Sequence, residues 1–173
     1  MERIDEILKL KIKPKEKSTM LVTALKSREI PLKELIEFFQ RANDSEKGYC
    51  ISAITQITKN EPEYIKGYID FILDQLDHKA PRVKWEAAET VANVSKIFPD
   101  KVIKAIPKLI GFSKGDGTVI KWSAAMGITE IARNNIKSRK ELTPFIKKMA
   151  ETETQSGVKK IYVAALKAFE KEK

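Results

Sequence analysis

The chain is poor in the residues on which most enzyme chemistry depends. A single cysteine, Cys50, excludes an intramolecular disulfide and any cysteine-rich metal centre, and a single histidine, His78, removes most metal-site and catalytic-triad arrangements. With 7 Gly and 7 Pro in 173 residues, a collagenous or low-complexity chain is ruled out. No apolar run approaches the roughly 18 residues needed to cross a bilayer. The opening residues, Met1-Glu2-Arg3-Ile4-Asp5-Glu6, carry charge where a secretory signal needs apolar side chains. A soluble cytoplasmic protein with no membrane contact is therefore expected. The glycosylation-type triplets starting at Asn43 and Asn93 carry no weight without an export route.

What the chain does have is apolar content and lysine. Hydrophobic residues make up 42% of it, and at this length a domain buries roughly 68–70% of the surface its unfolded chain exposes, so a core needs no staples. Lys and Arg number 33 against 24 Asp and Glu, a net charge of +9. The excess is unevenly placed, with +3 over residues 1–60, −3 over 61–100, +8 over 101–150 and +1 over 151–173. Such a basic stretch favours anionic partners at moderate salt.

Internal repetition decides the architecture. At a shift of 37 residues, Val83-Lys84-Trp85-Glu86-Ala87-Ala88-Glu89-Thr90-Val91 falls on Ile120-Lys121-Trp122-Ser123-Ala124-Ala125-Met126-Gly127-Ile128, with Trp, Ala-Ala and the aliphatics in register. Ile54 and Ile57 take the same places one period earlier, and Tyr162-Val163-Ala164-Ala165 repeats the core of the block. The segment after each block repeats as well, in the series Leu32, Ile69, Ile106 and Leu35, Ile72, Leu109, Ile146. Spacings of three and four within each copy give one helical apolar face, so each repeat is a pair of amphipathic helices.

Prolines punctuate the pairs. Pro31, Pro62, Pro81 and Pro99 stand at or just before the start of periodic segments, where the missing amide proton costs nothing. The spacing predicts ten helices, over residues 2–10, 18–27, 31–41, 45–60, 62–77, 81–98, 99–112, 118–134, 138–151 and 155–170, with a linker around Lys9 to Lys13. Pro107 and Pro144, also 37 apart, fall inside second helices and should bend them. For Pro144 a start at Thr143, capped by its hydroxyl, is an equal alternative.

This pattern resembles the HEAT repeat, a helical hairpin that stacks into a curved solenoid. The likeness is carried by the two Lys-Trp blocks, the aliphatic second helices and the turn Asp77-His78-Lys79-Ala80-Pro81. It implies an all-α, right-handed α-solenoid of about four hairpins. A single repeat domain over 1–173 would comprise an N-terminal helix and linker (1–17), hairpins at 18–44, 45–80, 81–117 and 118–154, and a terminal helix (155–173). Buried alanines at Ala87, Ala88, Ala124, Ala125, Ala164 and Ala165 would let the helices approach closely. In HEAT proteins second helices line the concave wall, and most members bind partners rather than catalyse, which implies a scaffold.

Candidate chemistry is thin. His78 reads as a solvated turn residue and Cys50 as buried packing, and Gly111 to Thr118 lacks the Gly-Lys-Ser/Thr ending of a phosphate loop. No catalytic residue, metal ligand or cofactor is expected. The polar side of one second helix carries Lys66, Asp70, Asp74 and Asp77, the next Lys101, Lys104 and Lys108, and the last Lys137, Lys140 and Lys147. An acidic strip followed by two basic ones is either an ordinary solvated surface or a binding groove. As a groove, the lysines would hold an acidic protein surface. The alternative partner is nucleic acid, with Trp85 and Trp122 stacking on bases. Their recurrence at one repeat phase is better explained by packing positions between repeats. A distant likeness to HEAT-like DNA alkylation-repair glycosylases stops at the essential aspartate, since no Trp-Asp pair occurs in the chain. The last helix, with Lys159, Lys160, Lys167 and Lys171 on its polar side, is expected to cap the stack, leaving a monomer or a weak homodimer at that end.

Overall fold

The blocks that recur along the sequence form one continuous row of helices. The computed structural model describes residues 2–171; Met1, Glu172 and Lys173 of the expected terminal segments lie outside them. Among the described residues there is no strand. The elements are α1 (Glu2–Lys9), α2 (Pro14–Lys26), α3 (Leu32–Arg41), α4 (Asp44–Thr58), a 3-10 segment Pro62–Tyr68, α5 (Ile69–Gln75), α6 (Pro81–Val94), α7 (Pro99–Val102), a 3-10 turn Ile103–Ala105, α8 (Ile106–Ser113), α9 (Thr118–Asn134), α10 (Ile136–Thr152) and α11 (Ser156–Lys171).

First helices stack in sequence, α2 on α4, α4 on α6, α6 on α9 and α9 on α11, while α3, α5, α8 and α10 each pack against the row. Small side chains make this stacking close. Ala53, Ala87, Ala88, Ala124 and Ala125 are fully buried, and a Cβ on Gly127 would lie 2.8 Å from Leu109 Cδ1. Ala165 is buried in the same way, but Ala164, expected beside it, faces solvent.

Polar groups inside the row are satisfied across it. Thr55 Oγ1 donates to the Ile51 carbonyl at 3.0 Å and meets Thr90 Oγ1 at 3.0 Å, and Asn93 Nδ2 donates to both the Thr55 carbonyl and Thr58 Oγ1 at 3.1 Å. These bonds tie α4 to α6 and fix their register, because a buried hydroxyl or amide without a partner costs about 1–3 kcal/mol.

The second layer is less regular than its periodicity predicts. The helix expected over 62–77 is divided, with non-helical dihedrals at Ile65 (φ −104°, ψ 21°) just before Gly67, a weak helix former. Tyr64 anchors the irregular part by donating its hydroxyl to the Leu25 carbonyl at 3.0 Å. The helix expected over 99–112 is likewise split by the 3-10 turn, so Pro107 sits in the first turn of α8, where its ring is tolerated, instead of inside a continuous helix. Pro144 does lie inside α10. Thr143 is not a cap there: its hydroxyl donates back to the Arg139 carbonyl at 2.6 Å.

Helix starts follow local chemistry. Asn43 accepts from the Glu46 amide while Glu46 Oε2 accepts from the Asn43 amide, both at 3.0 Å, a reciprocal capping box for α4. Asn135 accepts from the Ser138 amide at 2.9 Å, which opens α10 two residues earlier than expected. Pro14 likewise starts α2 four residues before Ser18. Helix α1 packs on α2 through Ile4, Ile7 and Leu8.

Candidate functional site

The six lysines singled out from the sequence all lie on second-layer elements. Lys101 is on α7, Lys104 on the 3-10 turn, Lys108 on α8, and Lys137, Lys140 and Lys147 on α10. Successive second-layer segments leave grooves between them. In the first groove Lys104 Nζ stands 3.6 Å from Asp70 Oδ1, and Lys108 is ion-paired and hydrogen-bonded to Asp77. The expected acidic and basic strips therefore neutralise each other in part. These exposed pairs contribute at most about 1 kcal/mol each.

The next groove is bordered by Lys104 and Lys137, with Asp100, Ile103, Asn135 and Glu141 around them, and Asn135 Nδ2 donates to Asp100 Oδ1 at 3.3 Å. Beyond it, on the opposite edge of α10, Lys140 and Lys147 border a cleft against α11. Among the described residues Lys101, Lys137, Lys140 and Lys147 are exposed and form no ion pair. Their charge is thus open to an external anion, unlike that of Lys104 and Lys108.

The two tryptophans occupy the other layer. Trp85 on α6 is half-buried and Trp122 on α9 is 37% exposed. Neither ring lines the three grooves. Their preceding lysines are engaged elsewhere. Lys84 Nζ lies 5.9 Å from the centre of the Phe112 ring, and Lys121 Nζ lies 3.6 Å from Glu153 Oε2. The expected cation-flanked stacking platform is not assembled, because both lysines turn inward.

The reactive inventory is quiet. Cys50 is fully buried and its thiol is pushed up to about 12 by burial and then by Glu46, which keeps it protonated and unreactive. His78 is half-buried rather than solvated, accepting the Ala80 amide at Nδ1 (3.0 Å) and packing edge-on to Phe39. Burial, then Lys47, holds its pKa below the usual histidine value. Among the described residues no three His, Cys, Asp or Glu side chains converge on a metal-binding position. No described helix is long and apolar enough to cross a membrane.

Three features escaped the sequence reading. Glu86 is largely buried and its pKa is raised by that burial, opposed by hydrogen bonds from Ser52 and Thr55. Glu153, in a segment read as a turn, is buried and accepts the Gln155 amide at 2.9 Å as well as pairing with Lys121. Ile136 is 72% exposed beside the α10–α11 cleft. Only the last had a signal, an aliphatic residue outside every apolar series.

The row of stacked first helices with second helices along one side matches known structures. A designed armadillo repeat protein in complex with the peptide (KR)4 superimposes with a TM-score of 0.70 at 22% identity, over 89% of this chain and 68% of that one. The fold is a helical-repeat solenoid. A computationally designed armadillo repeat protein for modular peptide recognition gives 0.69 at 21% identity over 88% of this chain, and an engineered protein gives 0.71 at 18% identity over 98% of it. The solenoid spans half the length of that engineered chain. No protein-family model and no curated protein matches the sequence.

Proposed function

We propose that this solenoid is a non-enzymatic, cytoplasmic interaction scaffold whose basic second-layer surface binds an acidic protein partner, with residues 1–173 acting as one repeat domain. The observation that carries this reading is the set of exposed, unpaired lysines Lys101, Lys137, Lys140 and Lys147 on successive second-layer elements. Lys104 and Lys108 add to the same surface while tethered to Asp70 and Asp77. Use of designed armadillo neighbours for peptide recognition supports a protein ligand. The separation of Trp85 and Trp122 from the lysine-lined grooves weighs against single-stranded nucleic acid, which needs rings and cations along one path. The lysine stripe Lys160, Lys167 and Lys171 on α11 favours a monomer through like-charge repulsion.

The test is a fluorescence-anisotropy titration with a labelled polyglutamate peptide and a single-stranded oligonucleotide of equal charge over a salt series. The peptide should bind wild type in the micromolar range at about 50 mM salt and lose about fivefold or more in a Lys101→Glu/Lys137→Glu variant. Tighter binding of the oligonucleotide, with a steep salt slope, would overturn the protein-partner reading in favour of nucleic acid.

A further inference from the structure

Helix α10 has two working edges. Lys137 and Glu141 face the preceding second-layer segment, whereas Ile136, Lys140, Thr143 and Lys147, spaced four, three and four residues apart, face away from it. The second edge forms a cleft of about 290 Å3 with Leu166, Phe169 and Glu170 of α11. Its floor is apolar. Arg139 is committed to that floor, donating to the Ala132 and Arg133 carbonyls (3.0 and 2.7 Å) and lying 4.8 Å from the centre of the Phe169 ring.

One joint in the second layer, between residues 69–77 and 99–113, is made through carboxylate and ammonium, Asp70 to Lys104 and Asp77 to Lys108, with the two aspartates seven residues apart. Lys140 and Lys147 are also seven apart, roughly 10.5 Å along a helix, and unpaired.

We propose that the α10–α11 cleft is a seat for an amphipathic α-helix of a partner protein, which lays aliphatic residues on Ile136, Leu166 and Phe169 and sets two carboxylates, two turns apart, against Lys140 and Lys147. Charge complementarity selects the acidic partner, and the two-turn spacing of Lys140 and Lys147 along the cleft selects a helix. The proposal rests on the acidic-partner reading above but adds an apolar anchor that a purely electrostatic surface lacks.

The probes are two labelled helical peptides of equal charge, both with glutamates two turns apart, one with leucines between them and the other with glutamines in those places. The leucine peptide should bind wild type at least about tenfold more tightly than the glutamine peptide. Ile136→Asp and Lys140→Glu/Lys147→Glu should each remove about tenfold or more of the leucine-peptide affinity, and Lys101→Glu/Lys137→Glu no more than about twofold. Ile136 is 72% exposed, so Ile136→Asp should leave the melting curve unchanged.

Equal binding of both peptides would overturn the seat while leaving the basic-surface reading intact. Absence of saturable leucine-peptide binding, or its indifference to Ile136→Asp, would also overturn the seat, and the polyglutamate titration then decides the basic surface separately. A concentration-dependent dimer in sedimentation velocity, lost in Ile136→Asp, would assign the cleft to a second copy and overturn the partner proposal.

Discussion

Two buried polar side chains define the energetics of single residues in this fold. Burial raises the Glu86 pKa above its ordinary value of 4.5, and Ser52 and Thr55 only partly compensate. An acid whose folded pKa lies above its unfolded one opposes folding as it ionises, so this contribution worsens as pH rises from about 4.5 through the folded value. Glu86→Gln keeps an acceptor for Ser52 and Thr55 and removes the charge. Its melting temperature relative to wild type should be higher at pH 7 than at pH 4, and the opposite ordering would show that the carboxylate is stabilised where it lies. Tyr162 offers the complementary case, because its ring is fully buried and its hydroxyl has no partner among the described residues. Tyr162→Phe removes that orphan while keeping the edge-on contact with Phe145, and denaturant unfolding should find it unchanged or stabilised by up to about 1 kcal/mol. Loss of more than that would reveal a partner for the hydroxyl. Neither residue was conspicuous in the sequence: a glutamate inside a charged block and a tyrosine on an apolar stripe look ordinary until the neighbouring helix closes over them.

At the scale of elements, what the sequence made legible follows from how local the cause is. The first helices were readable because their apolar spacing, alanines and flanking prolines are short-range signals, and Thr118–Asn134 forms as expected. The second layer was less so. The break at Ile65 and the 3-10 turn at Ile103–Ala105 arise where one segment must follow the surface of the first-helix row, which periodicity does not record. The turn before α3 holds a local rule broken outright. Arg28 adopts φ 61°, in the left-handed region, as the Ile30 amide returns to the Ala24 carbonyl at 3.0 Å. A side chain there costs about 1 kcal/mol that glycine avoids, so Arg28→Gly should raise stability by about 0.5–1 kcal/mol in urea unfolding. A destabilised variant would mean that the Arg28 side chain makes a compensating contact.

The whole molecule is a wall of first helices carrying a second, looser layer, and its charge is distributed by layer. Sequence reasoning found which residues would occupy the second layer, because the repeat fixes their phase. It could not find that Asp70 and Asp77 would tether Lys104 and Lys108 while Lys101, Lys137, Lys140 and Lys147 stayed free, since that depends on where two segments pass each other. The functional account reduces to this surface. Its most direct test is backbone-amide NMR mapping of the 15N-labelled protein during titration with the polyglutamate peptide. The account predicts shifts concentrated on α7, α8, α10 and the groove-facing side of α11, around Lys101, Lys137, Lys140 and Lys147, with the Trp85 and Trp122 indole signals unmoved. Shifts centred on the tryptophans of α6 and α9, with the second layer silent, would contradict it.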